Sequence, residues 1–183
     1  MLARSHLLIF AIFILPVSPA YAGQSIAAYT KDGLSFAHPA NWIVEEDLQF
    51  PGTRRSVLVN TPHKSQVTIE MYLKDNLTFF PEYRHYKSSL EEFAKRFKNR
   101  DITAKLQRRH SIDSAFIKRQ GMEGLKDIER VEIGDLVDVT VICEFYRVDT
   151  KDEIVFITLD TNKDEYKATT PGFDTILKTF KYH

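Results

Sequence analysis

The chain has 183 residues, of which 43% are hydrophobic and 27% charged, and this composition excludes an intrinsically disordered protein. Its 25 basic and 25 acidic residues give a formal net charge of zero, so no overall positive field favours nucleic-acid binding. The single cysteine, Cys143, excludes an intramolecular disulfide and a cysteine-based zinc or iron–sulfur site.

The first 22 residues have the pattern of a secretory signal peptide. Arg4 supplies the positive charge, residues 7–17 form an uncharged and mostly aliphatic run, and Ala20-Tyr21-Ala22 is a small-x-small cleavage site. We therefore predict export to the periplasm or the extracellular space and cleavage after Ala22. An uncleaved membrane anchor is the alternative, but a spanning helix needs about 20 apolar residues, more than this run contains.

Strands are predicted in the first part of the mature chain. Lys31-Asp32-Gly33 has the composition of a turn that leads into an extended segment, and Trp42 starts the next one. Residues 55–61 and 66–73 form two further predicted strands, joined by the loop Pro62-His63-Lys64-Ser65. Apolar and polar residues alternate in the second of them, which indicates a sheet with one drier face.

A helix is predicted in the middle of the chain. Ser88-Ser89-Leu90-Glu91 is a capping box, in which the serine and the glutamate satisfy each other's backbone amides. Apolar residues follow at the spacing of one helix face, and we expect this stripe to lie against the core. Its members are Leu90, Phe93, Ala94 and Phe97.

Residues 119–160 are predicted to form a meander of long strands. Gly121 and Gly124 are expected to mark its entry, Gly134-Asp135 a turn, and residues 149–152 a hairpin.

Two segments of this meander are predicted to be buried. Residues 154–159 are apolar on both faces, which indicates a central strand that is covered on both sides. Cys143 alternates with valines on an apolar face, so we expect it to be buried and unreactive.

A second helix is predicted at the end of the chain. Thr170 is expected to cap it and Pro171 to occupy its first position, ahead of an apolar stripe. The stripe consists of Phe173, Ile176, Leu177 and Phe180. The order of strands, helix, strands and helix predicts an α+β fold, with a mostly antiparallel central sheet and flanking helices.

Two short segments resemble the PsbP-like family. The family's opening G-x-x-F-x-x-P-x-x-W pattern resembles the segment Gly33-Leu34-Ser35-Phe36-Ala37-His38-Pro39 followed by Trp42-Ile43-Val44. The family's last helix resembles residues 171–180. The resemblance extends over residues 29–182. It implies an α-β-α sandwich and a non-enzymatic binding protein, because relatives include extrinsic photosystem II subunits and a Ran-binding nuclear-import factor. Residues 23–183 contain no repeat, low-complexity tract or Pro/Gly/Ser linker, which predicts a single domain.

Motifs for catalysis and for metal or cofactor binding are absent from the sequence. It contains no G-x-S-x-G motif, P-loop or G-x-G-x-x-G motif, and its six histidines lack the spacing of metal ligands. Residues 160–164 imitate the start of an EF-hand loop, but Glu165 stands where glycine is needed and Pro171 where glutamate is needed. We therefore predict no catalytic, cofactor-binding or metal-ligating residues, and His38 as a residue at a strand end.

Charge is segregated along the neutral chain. Residues 84–119 contain eleven basic and four acidic residues, a net charge of +7, whereas residues 123–165 contain thirteen acidic and five basic residues, a net charge of −8. A basic face that docks an anionic partner is one interpretation. Solvated residues on the back of the middle helix and its loop, partly paired with the acidic strands, are the other. The candidate partner-binding residues are Lys95, Arg96, Lys98, Arg100, Lys105, Arg108 and Arg109.

The functional hypothesis is an exported, monomeric, non-enzymatic accessory protein that docks a protein partner or an anionic envelope component. One alternative is a periplasmic carrier that holds a small apolar ligand between the sheet and a helix. Another is a hydrolase of unrecognised type, which would need titratable groups clustered in a cleft.

Overall fold

The computed structural model describes residues 25–46, 55–62, 64–74, 101–104, 107–133 and 137–183. Within these ranges the chain forms eleven strands and one helix, a sheet-rich α+β fold. In chain order the elements are β1 (Ile26–Lys31), β2 (Leu34–Pro39), β3 (Ile43–Glu46), β4 (Arg55–Asn60), β5 (Gln66–Leu73), β6 (Asp101–Ala104), β7 (Gln107–Arg119), β8 (Met122–Ile133), β9 (Val137–Asp149), β10 (Glu153–Asn162), α1 (Tyr166–Thr179) and β11 (Lys181–Tyr182).

Eight strands form one antiparallel sheet in the order β3-β4-β5-β10-β9-β8-β7-β6. Strand β10 lies between β5 and β9. Val155 and Ile157 on one of its faces and Ile154 and Phe156 on the other are all buried. This arrangement confirms the predicted central strand, covered on both sides.

The main core joins a second sheet and the helix to one face of the large sheet. Strands β1, β2 and β11 form this three-stranded antiparallel sheet, and α1 packs against β2 and against β10. Burying each large apolar side chain contributes about 1.5–3 kcal/mol, so the core and not local helix propensity holds α1 in place. Fully buried members of the core include Leu34, Val57, Val67, Ile157, Phe173 and Ile176.

A smaller apolar cluster contains the single cysteine. Cys143 on β9 is 4% exposed and packs with Val131 and Val141, and Val139 and Phe145 are partly buried beside them. The predicted burial of the thiol on a valine-rich strand face is therefore confirmed.

The two segments that resemble the PsbP-like family pack directly against each other. A Cβ atom on Gly172 of α1 would lie 2.4 Å from the ring of Trp42 and 2.8 Å from Pro39. Phe36 stacks on Tyr29 of β1 with ring centroids 5.0 Å apart. The opening and closing motifs thus form one contact, and the glycine is required because only hydrogen fits under the tryptophan.

Two hairpin turns use residues with positive φ. Asp32 and Gly33 have φ of 46° and 81°, and Gln120 and Gly121 have φ of 50° and 85°. Two consecutive left-handed residues are typical of the tight turn that matches the twist of antiparallel strands. The predicted turn at Asp32-Gly33 is confirmed. Of the two glycines expected at the entry of the meander, Gly121 lies in the turn before β8, whereas Gly124 lies inside β8, where a Cβ would meet the Tyr146 ring at 2.5 Å.

The C-terminal helix begins earlier than the sequence suggests, so the predicted cap was wrong. Glu165 is the N-cap, and the amides of Ala168 and Thr169 donate to its carbonyl. The hydroxyl of Thr170 instead donates to the carbonyl of Tyr166 at 2.6 Å, and Pro171 lies inside the helix. The first turn extends because the Tyr166 hydroxyl bonds to the buried Glu144, a tertiary contact that a local capping signal does not contain.

Strand β7 also begins before the predicted start of the meander. The segment Gln107–Arg119 is a strand, not a loop after a helix, and pairs with β8 along its length. A register shift between Ser111 and Asp113 marks a β-bulge. Such a bulge interrupts the alternation of period two from which strands are predicted.

Several predicted features lie outside the described residues. They are the signal peptide over residues 1–22, the middle helix with its stripe at 90–97, and the turn Gly134-Asp135. The arrangement of helices on both sides of the sheet therefore stays a prediction, since α1 is the one helix in the described ranges. That part of the chain contains no helix long and apolar enough to cross a membrane.

Candidate functional site

Two of the seven predicted partner-binding residues lie on β7. In the register of the large sheet, Arg108 is opposite Glu132 and Arg109 is opposite Val131 of β8. These two residues therefore lie on a strand and not on a loop. The other five lie outside the described residues, and they are Lys95, Arg96, Lys98, Arg100 and Lys105.

The same strand carries two of the most exposed large apolar side chains in the described part of the chain. Ile112 is 60% exposed and Phe116 is 57% exposed, and Lys118, two residues further along, is exposed as well. We name Ile112, Phe116 and Lys118 the β7 patch. Sequence reasoning missed this patch because its strand was not predicted.

A buried ion pair lies where β7, β9 and α1 meet. The Glu144 side chain on β9 is fully buried, and its two oxygens accept bonds from Nε and Nη2 of Arg119, each at 3.1 Å. Arg119 also donates from Nη1 to Asp174 at 3.0 Å and from Nη2 to the Tyr166 hydroxyl at 2.9 Å. The hydroxyl of Tyr146 donates to Glu144 Oε2 at 2.7 Å, and that of Tyr166 donates to Oε1.

The surroundings of this ion pair shift the pKa values of Arg119 and of the two tyrosines. Burial raises the pKa of the Tyr146 hydroxyl far above its usual value, and the bond to Glu144 adds to the rise. Burial, followed by the same kind of bond, raises the pKa of Tyr166 to about 12. Burial lowers the pKa of Arg119, but bonds to Asp174 and Glu144 outweigh that effect and raise the pKa overall. Near neutral pH both tyrosines therefore remain donors and Arg119 remains charged.

This cluster is a structural tie. Each oxygen of Glu144 accepts two hydrogen bonds, so the carboxylate has no lone pair left with which to take a proton from a substrate. The ammonium of Lys126 lies 4.1 Å above the ring centroid of Tyr166, on the outer side of the same cluster. The arrangement fastens α1 to two strands of the large sheet through Arg119.

One spacing in the sequence indicates this structural tie. Glu144 stands two residues before Tyr146, so in a strand both side chains face the same way. An acidic residue on an apolar strand face needs a buried cationic partner. The partner Arg119, however, is 25 residues away in sequence, and no local pattern connects the two.

A second buried carboxylate lies on the opposite face of the large sheet. Asp127 on β8 is opposite Cys143, and its Oδ1 accepts bonds from Ser111 at 2.7 Å and from Ser114 at 2.5 Å. Residues three apart on a regular strand point to opposite faces. The bulge at Ser111–Asp113 brings both serines to the same face and so produces this site.

Potential metal ligands do not converge within the described ranges. That part of the chain holds no group of three or more histidine, cysteine, aspartate or glutamate side chains able to bind an ion. Asp160 and Asn162 belong to β10, so the EF-hand-like segment is the end of a strand and the turn after it. His38 lies in β2 next to the strand end and bonds through Nδ1 to the carbonyl of Pro39 at 2.9 Å.

The space between α1 and the large sheet is filled by side chains. Phe173 and Ile176 of α1 are 0% exposed, as is Tyr146 of the sheet. The rings of Phe173 and Tyr146 have centroids 5.7 Å apart, a separation at which they are in contact. This packing favours a cohesive role for the aromatic stripe over the containment of a ligand.

Solved structures with a similar fold come from several organisms. Cyanobacterial PsbP (CyanoP) from Synechocystis sp. PCC 6803 is 16% identical, with a TM-score of 0.51 over 92% of this chain and 99% of that chain. A Bacteroides thetaiotaomicron structure is 12% identical, with a TM-score of 0.46 over 85% and 48% of the two chains. The Saccharomyces cerevisiae Ran-binding protein Mog1p is 12% identical, with a TM-score of 0.40 over 86% and 94%.

Sequence comparison is less informative than structural comparison for this chain. No family model matches it, and no curated protein matches it. The likeness to cyanobacterial PsbP nevertheless extends over nearly the whole length of both chains. The resemblance inferred from the two short motifs therefore agrees with the structure, and this chain has a PsbP-like fold.

Proposed function

We propose that this chain is an exported, monomeric, non-enzymatic accessory protein, a single domain over residues 23–183, which docks a protein partner or an envelope component. The observation that carries the proposal is the β7 patch, in which two large apolar side chains are exposed on a strand that also holds Arg108 and Arg109. Large exposed apolar side chains beside charged ones are typical of interaction surfaces.

The bonding of Glu144 supports a binding role over catalysis. Glu144 is saturated by Arg119 and two tyrosine hydroxyls. Asp127 accepts two serine hydroxyls through Oδ1, and its buried Oδ2 has no hydrogen-bond partner among the described residues. A catalytic carboxylate would instead have to reach a substrate. These interactions hold elements together, and the exposed surface is left for recognition.

The charge distribution along the sequence predicts that the docking surface is positively charged. The basic stretch over residues 84–119 includes β7, whereas the acidic stretch over residues 123–165 includes β8, β9 and β10. An anionic partner is attracted to the first stretch and repelled by the second, which orients the encounter. Attraction between exposed charges weakens as salt rises.

Affinity capture with a charge-reversed variant tests this proposal. The mature chain over residues 23–183 is immobilised and incubated with a detergent-solubilised envelope fraction at low and at high salt. The reversed variant carries Lys95→Glu, Arg96→Glu, Lys98→Glu and Arg100→Glu. The control reverses four lysines that are exposed elsewhere, namely Lys64, Lys163, Lys167 and Lys178.

We expect one or more proteins to be captured by the wild type and by the control at low salt, and lost with the reversed variant and at high salt. Capture that is equal for both variants, or absent at low salt, contradicts the proposal.

Export is tested separately by expressing the full chain, fractionating the cells and sequencing the mature N-terminus. We expect that terminus to be Gly23, and an intact Met1 would contradict cleavage.

A further inference from the structure

The outer edge of β7 has no neighbouring strand over its second half in the described ranges. Strand β6 pairs with Gln107–His110, and no described strand continues the sheet beyond them. After the bulge, the register of β7 with β8 is regular from Asp113 to Arg119. This segment therefore presents the backbone amides and carbonyls that do not face β8, and such an edge is a template for pairing with another chain.

The other outer strands of the two described sheets offer less backbone for pairing. Strands β3 and β6 have four residues each, and β11 has two. Strand β1 has six, but the carbonyl of Lys31 at its end already accepts a bond from Arg55 at 3.0 Å. The open segment of β7 over residues 113–119 is longer than each of these strands.

Side chains on both faces of this segment are exposed. Ile117 packs against the main core, and alternation assigns Asp113 and Ala115 to the same face. Phe116 and Lys118 lie on the opposite face. Apart from Ile117, all of these residues are exposed. An added strand would therefore cover exposed side chains on both sides of the sheet at once.

We infer that a partner protein docks by adding an extended segment to this edge as a further antiparallel strand. The inference rests on the proposed function and specifies how the protein partner binds. Antiparallel pairing is favoured because all described strand pairs of the large sheet are antiparallel, and because parallel pairs are slightly weaker. In this mode main-chain hydrogen bonds supply the affinity and side chains supply the specificity.

The side chains along this edge specify the chemistry of the partner segment. On one face, Phe116 favours an apolar residue opposite it and Lys118 an acidic one. On the other face, Asp113 favours a basic residue. Glu123 of β8 is opposite Lys118 and offsets part of its charge, so the acidic preference is the weaker of the two. The partner segment therefore has an acidic and a basic residue on opposite faces, with an apolar residue between them.

A second copy of β7 does not present this chemistry. In a symmetric antiparallel pair of copies, opposite residues point to the same face of the joined sheet. Asp113 and Lys118 point to opposite faces, so no such register brings the acidic residue of one copy to the lysine of the other. An edge lysine also disfavours the pairing of identical chains. The partner is therefore a different protein, which agrees with the proposed monomer.

Titration of the isotope-labelled mature chain with a synthetic peptide tests the inference. The acetylated and amidated probe Thr-Glu-Val-Val-Thr-Thr-Lys, paired antiparallel to β7, places glutamate opposite Lys118, valine opposite Phe116 and lysine opposite Asp113. One comparison peptide exchanges the glutamate and the lysine, and another replaces both valines by proline. Successive amides of a strand point to opposite edges, so the two prolines remove one amide that faces β7.

NMR spectroscopy measures binding from the shifts of the backbone amides. The test variants are Lys118→Glu and Phe116→Ser. Their matched controls are Lys178→Glu, at an exposed position on α1, and Ile43→Ser, at a position that is 65% exposed on β3. Circular dichroism and thermal unfolding establish that every variant is folded.

We expect the wild type to bind the probe with shifts concentrated in residues 113–119, to bind the charge-exchanged peptide about fivefold more weakly, and not to bind the proline peptide. Lys118→Glu should bring the ratio between the two charged peptides close to one, because one favourable and one unfavourable pair then form with either peptide. Phe116→Ser should weaken binding of the probe about threefold. Both controls should bind like the wild type.

Three results would overturn the inference. They are a probe that shifts no amide of residues 113–119, a proline peptide that binds as well as the probe, and a charge preference that Lys118→Glu leaves unchanged. If the probe does not bind but affinity capture of an envelope protein is still lost with the charge-reversed variant, strand addition fails while the proposed function stands. If the capture fails as well, both are wrong.

Discussion

The large sheet has two regions that differ in what covers them. Around β5 and β10, the small sheet and α1 bury one face completely, and apolar residues there are packed on all sides. Along β7, Ile112 and Phe116 have more than half of their surface exposed. The same residue types therefore stabilise the fold in one region and remain available for contact in the other.

The polar residues follow the same division. Glu144, next to the covered region, is satisfied by four hydrogen bonds and connects three elements. Lys118, on the exposed region, is open to solvent. Burial decides whether a charge is part of the scaffold, because a buried charge must be paired and an exposed one need not be.

The largest expected effect comes from truncating matched phenylalanines in the two regions. Phe173→Ala should lower the free energy of unfolding by about 3–5 kcal/mol, because it leaves a cavity against Tyr146. Phe116→Ala should lower it by less than about 1 kcal/mol, since most of that side chain is already exposed. Urea denaturation measures both free energies of unfolding, and equal losses would show that the two regions do not differ in packing.

Removing the buried carboxylate should have the next largest effect. Glu144→Ala leaves the Arg119 guanidinium with Asp174 as its remaining carboxylate and is expected to destabilise the fold by about 3 kcal/mol. The control is Glu123→Ala on β8, where the side chain is exposed and the change should be within about 0.5 kcal/mol. Urea denaturation measures both, and a fully stable Glu144→Ala protein would show that the cluster is not a structural tie.

The contact between the two family-like motifs is tested by matched glycines. Gly172→Ala places a methyl group 2.4 Å from the Trp42 ring and should lower the free energy of unfolding by about 2–3 kcal/mol. Gly121→Ala meets no atom within 4 Å and should lower it by about 1 kcal/mol, the strain of its positive φ. Thermal unfolding compares the two, and a harmless Gly172→Ala would mean that the contact is looser than described.

The smallest expected effect appears at alkaline pH. Because the folded pKa of Tyr166 is about 12 and its usual value is 10.0, the unfolded chain loses this proton first as pH rises. The resulting stabilisation is complete below pH 10 and is lost as pH rises towards 12. Tyr166→Phe should therefore lose less stability than the wild type over this interval in urea denaturation, and a parallel decline of the two proteins would contradict the shift.

Local patterns predicted much of the fold. The turn at Asp32-Gly33, the hairpin around residues 149–152 and the central strand β10 all follow from short-range composition and period, and the structure contains all three. Strand β7 escaped prediction because its bulge shifts the period within a mostly polar segment. The start of α1 was misplaced because a tertiary bond of Tyr166 extends the helix.

The candidate site was predictable only in part. The segregation of charge along the sequence indicated the basic stretch that includes Arg108 and Arg109, and those two residues lie on β7. The exposure of Ile112 and Phe116 was not predictable, because composition does not reveal which apolar residues the fold leaves uncovered.

By itself, the sequence determined the alternation of strands, the tight turns and the burial of Cys143, since these depend on neighbours a few residues apart. Tertiary structure alone decided that Glu144 meets Arg119, that Gly172 lies beneath Trp42, and that Phe116 is exposed while Phe173 is buried. The physical reason is that contacts and burial depend on which distant segments meet, and no pattern confined to one segment contains that information.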